Sequence, residues 1–326
     1  MPLMGLRDWA QMARNFYPPP PAFLPKDYPS LTGKVVIVTG GNAGLGVECV
    51  KLLVEARAKV YIFARNKTTA LKAIEELKLQ HNDALVEFIE VDLSDLTTIR
   101  PATERFFAQE SRLDIVIHNA GVMLTPIGST SKQGYELQLG TNIIGPFALQ
   151  KLLTPMMHHT ASQLNGEGNN RSRIIWVTSS AHAFAPKHGV DLNDLNDVKR
   201  DGWGNYGQSK AANIIMASQW SINHPEEAAK IVSISVDPGN LNTNMQLSIT
   251  GLTGRILDRL VYDARYGAYA LLFAALSPQI TTTNNGAYII PWGRFGRVRG
   301  DVAEAAKNEI GAEFYKYLED ETGKYL

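Results

Sequence analysis

A tyrosine and a lysine four residues apart form the pair in this sequence best suited to moving a proton. Tyr206 and Lys210 stand in the segment Tyr-Gly-Gln-Ser-Lys, so on a helix both side chains lie on one face. A free tyrosine has a pKa of about 10, and a nearby ammonium lowers that pKa by favouring the phenolate. Tyr206 can then exchange a proton near neutral pH. The same spacing is also typical of a solvated pair on a helix surface, so these two residues alone do not settle the chemistry.

A glycine-rich turn marks a second place where chemistry can occur. The apolar run 34–39 predicts a buried strand, and Gly40, Gly44 and Gly46 follow it and open a helix. A helix N-terminus offers backbone N–H groups to a phosphate, and glycine permits its close approach. No Gly-Lys-Ser/Thr follows, which excludes a P-loop. The turn indicates a diphosphate site, although many strand-to-helix turns need glycine for steric reasons alone.

Strand-like and helix-like segments alternate from residue 33 onward. Strands that are apolar throughout are buried on both faces, as in parallel sheets covered by helices. The alternation predicts one α/β domain with a Rossmann-type doubly wound parallel sheet of about seven strands and helices on both faces. Strands are predicted over 34–39, 59–63, 84–91, 113–118, 173–178, 230–236 and 287–290, and helices over 46–57, 68–80, 95–110, 138–158, 205–221 and 263–276.

Residues 1–32 are predicted to form an N-terminal extension, and 33–326 the domain itself. Apolar residues at helical spacing over 5–17 predict a short amphipathic helix. The prolines at 18–21 end that helix and form a stiff spacer. The helix either packs on the domain or contacts a membrane surface or the substrate.

The composition excludes several classes of protein. The 326 residues hold 32 basic and 32 acidic side chains, with no sign of the basic stripe of a nucleic-acid-binding protein. The single cysteine, Cys49, excludes an intrachain disulfide, and no cysteine–histidine cluster has the spacing of a zinc site. No apolar run reaches the roughly 18 residues of a membrane span. We therefore expect a cytoplasmic protein without a metal centre, a nucleic-acid partner or a transmembrane span.

Six motifs occur in the order in which the short-chain dehydrogenase/reductase family carries them. On these motifs the chain resembles that family from residue 33 to about 293. They are the glycine turn 40–46, His118-Asn-Ala-Gly121, Asn142 in the long helix, Ser179 at the end of the fifth strand, Tyr206-Gly-Gln-Ser-Lys210, and Pro238-Gly239 followed by Thr243.

The resemblance implies an oxidoreductase that transfers a hydride between a nicotinamide cofactor and a carbonyl or alcohol carbon. Ser179 would hydrogen-bond the substrate oxygen, with Ser180 as the alternative, and Tyr206 would exchange the proton. Asn142 would support a water that links Lys210 to solvent. The implied catalytic residues are Asn142, Ser179, Tyr206 and Lys210.

The end of the second strand indicates which cofactor binds. NAD enzymes place an acid there, whereas an arginine accommodates the 2′-phosphate of NADP. Arg65 and Lys67 follow this strand and no acid does, so we expect NADP(H), unless Arg65 is merely a solvated charge. Asp92 would bind the adenine amino group or cap its own turn. The resemblance implies as cofactor-binding residues Gly40, Asn42, Gly44, Leu45, Gly46, Arg65, Asp92, Leu93, Asn119, Ala120, Gly121, Tyr206, Lys210, Pro238, Gly239, Leu241 and Thr243.

The sequence departs from the common family pattern in two places. His118 replaces the first asparagine of its motif, which we expect to alter only a loop hydrogen bond. The stretch between Ser179 and Tyr206 is long and resembles the retinol-dehydrogenase-like branch and fungal light-induced alcohol dehydrogenases. It lies near the helices that pair subunits in the family, so a monomer or homodimer is expected in preference to a tetramer. Within this stretch His182 is interpreted as a loop histidine, with a residue of the pocket wall as the alternative.

Residues 240–265 are predicted to form a lid over the substrate. Its large apolar residues include Leu241, Met245, Leu247, Ile249, Leu252 and Ile256. We therefore expect an apolar small molecule with a carbonyl or alcohol group as substrate, in fungal secondary metabolism. A helix packed on the domain is the alternative for this segment. For the whole protein, a non-redox enzyme such as a cyclase and a cofactor-binding scaffold remain as alternatives.

Overall fold

The computed structural model of the protein describes residues 11, 13–164, 171–242 and 261–326. The described strands are β1 Val35–Thr39, β2 Lys59–Ala64, β3 Val86–Glu90, β4 Ile115–His118, β5 Ser172–Val177, β6 Ile231–Val236, β7 Tyr288–Ile290 and β8 Arg294–Phe295. They form one sheet in the order β3-β2-β1-β4-β5-β6-β7-β8. All neighbours are parallel except β7 and β8, which are antiparallel.

Helices cover both faces of this sheet. They are α1 Gly44–Glu55, α2 Lys67–Gln80, α3 Ile99–Phe107, α4 Gly145–Ser162, α5 Gly202–Asn223, α6 Pro225–Ala228, α7 Ala264–Leu276, α8 Gly300–Ala305 and α9 Glu309–Gly323. The apolar sides of α1, α2 and α7 form one core layer with the sheet. Those of α3, α4, α5 and α9 form the other. None of these described helices is long and apolar enough to cross a membrane.

The burial of the strands explains why the sequence forms a parallel sheet. Every residue of β1, β4, β5 and β6 is buried, because helices cover both sides of the central strands. The edge strand β3 instead mixes buried, half-buried and exposed positions. The predicted doubly wound sheet is confirmed.

Several details differ from the sequence-based predictions. The sheet has eight strands instead of about seven, because the two-residue β8 is too short to leave a pattern. The helix predicted over 95–110 is a 3₁₀ turn, Leu96–Thr98, followed by α3, which ends at Phe107. The two C-terminal helices α8 and α9 were not predicted.

The helix predicted over 138–158 is divided near its start. A single turn, Leu137–Leu139, leads into a π-helical turn, Gly140–Ile144, and only then into α4. π-Helical turns occur mostly at functional sites. Hydrophobic spacing does not reveal such a turn here, because residues 138–150 are all buried and leave no polar face whose shift could be seen.

The N-terminal segment is described only in part. Residues 13–16 are helical, in agreement with part of the helix predicted over 5–17, whereas residues 1–10 and 12 lie outside the described residues. The boundary between extension and domain at residue 33 stays a prediction.

The strand order determines where a ligand can bind. From β1 the chain first adds β2 and β3 on one side. It then returns to the other side of β1 and adds β4 to β7 there. At such a switch point the loops at the carboxyl ends of the strands separate and leave a crevice. The glycine turn after β1 and the segment 119–121 after β4 border this crevice.

Candidate active site

The glycine turn after β1 has the shape that a diphosphate requires. Gly40 and Gly44 have φ values of +65° and +51°, a region that glycine enters without steric cost. A Cβ at Gly46 would lie 2.2 Å from the carbonyl oxygen of Gly40, so helix and turn pack too closely for any side chain. No described side chain caps the start of α1. Its first backbone N–H groups are therefore available to an anion.

The segment after β4 braces this turn. The Asn119 side-chain amide donates to the Thr39 carbonyl at 2.9 Å, and the Ala120 N–H donates to the Thr39 hydroxyl at 2.9 Å. A Cβ at Gly121 would lie 3.0 Å from Asn142 Oδ1. Asn119 and Ala120 thus lie next to the glycine turn, whereas Gly121 lies against Asn142.

The other residues predicted near the adenosine end lie around the same crevice. Asn42 donates to the Thr69 hydroxyl at 2.6 Å, which links the glycine turn to α2. Arg65 is exposed directly after β2. Asp92 Oδ1 accepts from the Ser94 N–H at 2.9 Å and from its hydroxyl at 2.6 Å. Asp92 therefore closes its own turn, while Leu93 beside it is buried in the core.

The turn after β6 forms the opposite wall. Gly239 has a φ of +83°, and its N–H donates to Asp237 Oδ1 at 2.9 Å. Pro238 and Leu241 are buried, and a Cβ at Gly267 would lie 2.3 Å from Leu241 Cδ1. Leu45 on α1 packs at the same place.

The two ends of the predicted lid lie side by side. Leu241 and Tyr262 form a parallel bridge. The Asn242 N–H donates to the Tyr262 carbonyl at 2.8 Å. Thr243 and the rest of the lid up to residue 260 lie outside the described residues.

Tyr206 and Lys210 lie on α5 and are buried, with only 6% and 4% of their surfaces exposed. They are therefore not a solvated surface pair. The Lys210 ammonium donates to the carbonyl of Val177, the last residue of β5, at 3.1 Å. It lies 5.6 Å from the centre of the Tyr206 ring. Asp201 fixes the start of this helix by accepting from two backbone N–H groups.

Burial dominates the protonation of both groups. Burial raises the pKa of Tyr206 above its ordinary value, the nearby Ser179 hydroxyl lowers it, and the negative charge of Asp237 raises it again. The expected net lowering of the Tyr206 pKa does not occur in the protein alone, because burial is the largest effect on it. Burial lowers the pKa of Lys210 to about 8, against the opposing effect of Asp237. At neutral pH Tyr206 keeps its proton and Lys210 its charge.

Ser179 stands at the end of β5 and begins the 3₁₀ turn Ser180–Phe184. Its hydroxyl interacts with the phenol of Tyr206 and also accepts from the Ala181 N–H at 3.2 Å. Ser180 instead offers its backbone N–H to Asp237. This geometry favours Ser179 over Ser180 as the serine that meets a substrate oxygen.

Asn142 lies in the π-helical turn and joins two walls of the crevice. Its Oδ1 accepts from the Val122 N–H at 2.8 Å, and its Nδ2 donates to the Val122 carbonyl at 2.9 Å and to the Ser209 hydroxyl at 3.0 Å. These bonds hold the chain after β4 against α5. The predicted water contact of Asn142 stays a prediction.

Sequence reasoning missed an arginine that holds the serine turn. Arg299, 5% exposed, donates to the carbonyls of Ala183 and Ala185 at 2.9 and 2.8 Å and to that of Pro186. Asp301 binds the guanidinium through both carboxylate oxygens, at 2.6 and 2.9 Å. No sequence signal reveals this role, because Arg299 and the turn are more than a hundred residues apart.

The interpretation of two histidines needs correction. His182 is buried and is not a free loop residue, since its ring packs edge-on against Tyr288 at 5.3 Å. His118 is stacked on Trp176 at 4.4 Å and hydrogen-bonds Gln150 at 3.0 Å. Burial lowers the pKa of His118 to about 4, so it is a neutral core residue at the end of β4.

Two large aromatic side chains stand beside the tyrosine and are exposed to solvent. Phe184 and Trp203 are 46% and 48% exposed and meet edge-on with ring centres 6.2 Å apart. Trp203 lies 6.5 Å from Tyr206. We call Phe184 and Trp203 the aromatic ledge.

A comparison with known proteins identifies the family. The chain is 36% identical to a short-chain dehydrogenase/reductase of the fungus Phomopsis amygdali, over 98% of this chain and 97% of that protein. The chain belongs to the short-chain dehydrogenase/reductase family. The family's sequence model, described as short chain dehydrogenase, matches residues 34–191. This short-chain dehydrogenase/reductase is thus an oxidoreductase of a family that uses nicotinamide cofactors, and its glycine turn fits their diphosphate.

Solved structures share the fold. The 3-ketoacyl-(acyl-carrier-protein) reductase of Brucella melitensis complexed with NADH is 20% identical, covers 81% of this chain and 99% of its own, and has a TM-score of 0.62. The Pseudomonas aeruginosa RhlG/NADP active-site complex is 23% identical, covers 78% and 94%, and has a TM-score of 0.60. At these identities the likeness establishes the common fold alone.

The effect of the buried Lys210 charge on stability can be tested in the protein alone by replacing this lysine with methionine. Below pH 8 the folded state holds a desolvated ammonium, so Lys210→Met should raise the free energy of unfolding, by up to roughly 3 kcal/mol. Between pH 8 and 10.5 the folded state has lost this proton and the unfolded state has not. The unaltered protein therefore gains stability over that window, and the advantage of the variant should shrink. Urea unfolding at pH 7 and pH 10 measures both values.

The matched control is Lys72→Met, at a lysine whose side chain is 76% exposed, which should change little at either pH. An advantage of Lys210→Met that is absent at pH 7, or equal at both pH values, contradicts the buried charge.

Proposed function

We propose that this protein is an NADP(H)-dependent oxidoreductase that transfers a hydride between the nicotinamide and a carbonyl or alcohol carbon of an apolar small molecule. The observation that carries the proposal is the meeting of Tyr206, Ser179 and Lys210 at the carboxyl end of β5, beside the turn Pro238–Gly239. A proton donor, a second hydrogen-bond donor and a cation there can serve one substrate oxygen.

Ser179, Tyr206 and Lys210 would each have a separate role in this reaction. When bound, the nicotinamide cofactor supplies or accepts the hydride. Ser179 and Tyr206 donate hydrogen bonds to the carbonyl oxygen, and Tyr206 gives its proton to that oxygen as negative charge develops there. The Lys210 ammonium stabilises the phenolate that remains. In alcohol oxidation the same groups act in reverse, with Tyr206 as the base.

The proposed cofactor-binding residues line the crevice, and each group of them would contact a different part of the cofactor. The N–H groups at the start of α1, with Gly40, Asn42, Leu45 and Gly46, would hold the diphosphate. Asp92 and Leu93 would line the adenine side, and residues 119–121 the ribose. Pro238, Gly239, Leu241 and Thr243 would adjoin the nicotinamide.

The preference for NADP(H) rests on Arg65. It is the exposed residue that directly follows β2, where a 2′-phosphate would lie. A guanidinium binds phosphate in a bidentate manner, and an acid that would repel the phosphate is missing from this position.

The aromatic ledge supports an apolar substrate. Large aromatic side chains half exposed beside a reacting group bury apolar surface when a ligand covers them. A ketone with an aromatic or conjugated group can place its oxygen at Tyr206 and its ring on Trp203. A role in fungal secondary metabolism agrees with the fungal source of the relative from Phomopsis amygdali. The long stretch before Tyr206 supports a monomer or homodimer, which we place in the cytoplasm.

Tyr206→Phe tests the proposed chemistry. It keeps the ring but removes the exchangeable proton, so turnover should fall by about 100-fold or more, while the Kd for NADPH should barely change. The measurement is oxidation of NADPH, followed by absorbance, with a panel of matched aryl and alkyl ketones. Tyr325→Phe, at the far end of the chain, is the control. Near-normal turnover of Tyr206→Phe would refute the assignment.

Arg65→Glu tests the choice of cofactor. The carboxylate should repel the 2′-phosphate and lower kcat/KM for NADPH, on the order of tenfold or more, with a much smaller effect on NADH. The ratio of the two kcat/KM values reports the change. Arg100→Glu, an exposed arginine on α3, should leave the ratio as it is. If Arg65→Glu also leaves it unchanged, Arg65 does not bind the phosphate.

A further inference from the structure

A buried carboxylate outside the catalytic motifs lies between the elements that form the site. Asp237 follows β6 directly and is 1% exposed. Four groups donate hydrogen bonds to it: the Gly239 N–H at 2.9 Å, the Tyr288 hydroxyl at 3.2 Å, the Asn15 amide at 3.3 Å, and the Ser180 N–H. A carboxylate offers about four acceptor positions. Burial raises the pKa of Asp237, and these four hydrogen bonds act against that rise by favouring the charged carboxylate.

These donors come from four separate parts of the chain. Ser180 belongs to the turn that carries Ser179, and Gly239 to the turn beside the proposed nicotinamide position. Tyr288 lies on β7, and Asn15 in the N-terminal segment. One carboxylate therefore joins these four parts through hydrogen bonds.

A second hydrogen bond orients the Asn15 side chain of the N-terminal segment towards Asp237. The Gln11 amide donates to Asn15 Oδ1 at 2.8 Å, which turns the Asn15 amide group so that its N–H faces Asp237. Asn15 itself is 5% exposed. The next residue, Phe16, accepts at its carbonyl from the Tyr262 hydroxyl at 3.3 Å. The segment thus contacts both Asp237 and the chain at the end of the predicted lid.

We propose that Asp237 is a positioning residue for Ser179 and for the Pro238–Gly239 turn, and that Asn15 completes its bonding, so that the N-terminal segment is part of the active site. This inference rests on the proposed function. It gives the N-terminal segment a role in catalysis in place of a membrane contact.

The negative charge of Asp237 also affects the protonation of the proposed catalytic groups. The titratable groups that face it are Lys210 and Tyr206 on α5 and Tyr288 on β7, with the His182 ring packed edge-on against Tyr288. A negative charge here favours a charged Lys210 and a protonated Tyr206. Donation of a proton to a carbonyl oxygen starts from that pair of protonation states.

The test compares Asp237→Asn, Asn15→Ala and the double variant, using NADPH and a reactive aryl ketone. A misplaced catalytic group can cost on the order of 100-fold in rate. We expect kcat to fall on the order of 10- to 100-fold for Asp237→Asn and about tenfold for Asn15→Ala. If Asn15 acts through Asp237, the double variant is no slower than Asp237→Asn alone. The alkaline limb of kcat for ketone reduction should move to lower pH in Asp237→Asn.

The control is Tyr17→Ala, two residues beyond Asn15 at a side chain that is 68% exposed, which should keep normal kcat. Normal kcat in Asn15→Ala would overturn the proposal, as would a double variant whose loss is the product of the two single losses.

A second readout needs no activity. Hydrogen exchange followed by mass spectrometry over 178–186 should be faster in both single variants. The Ser180 N–H loses its carboxylate partner in Asp237→Asn, and in Asn15→Ala that carboxylate is held by one hydrogen bond fewer. Unchanged exchange in both variants overturns the positioning role. If the protein reduces no ketone at all, the proposed function fails, whereas the exchange result still decides whether Asn15 and Asp237 hold the serine turn.

Discussion

The hydrogen bond from the Lys210 ammonium to the carbonyl of Val177 is the contact on which the rest of the site depends. It brings a cation into an interior position at the end of β5, where burial lowers the pKa of the lysine to about 8. That arrangement is costly for folding, and a surface lysine would avoid it. The ammonium lies 5.6 Å from the centre of the Tyr206 ring, and the negative charge of Asp237 offsets part of the cost of burial.

The parallel sheet explains why groups so distant in sequence meet at one place. Parallel strands in register end at the same edge, as the pairing of Val177 with Val236 illustrates. The serine turn therefore begins beside the turn that follows β6, and the glycine turn after β1 lies beside the segment after β4. Helix α5 crosses this edge with Tyr206 and Lys210 on the face that packs against it. Each group of the proposed catalytic set is thus held by a rigid element or by a turn that hydrogen bonds fix in place.

The sequence predicts much of this arrangement, because its signals are local. Apolar runs identify seven of the eight strands, and the spacing of Tyr206 and Lys210 places both on one helix face. Burial is what spacing cannot predict, and burial reverses the expected direction of the Tyr206 pKa. The roles of Arg299 and Asn15 cannot be predicted from local sequence signals for another reason. Each side chain contacts residues more than a hundred positions away in the chain. Asp237 did carry a signal, since it directly precedes Pro238–Gly239.

The most direct test of the central claim is the fate of a label on the cofactor. NADPH carrying deuterium at the transferred position of the nicotinamide is incubated with the protein and an aryl ketone, and the product is analysed by mass spectrometry and NMR. The account predicts one deuterium on the carbinol carbon, with the hydroxyl proton derived from solvent, and almost no product from Tyr206→Phe. Product formed without deuterium at that carbon, or a product at the same oxidation level as the substrate, would contradict hydride transfer at this site.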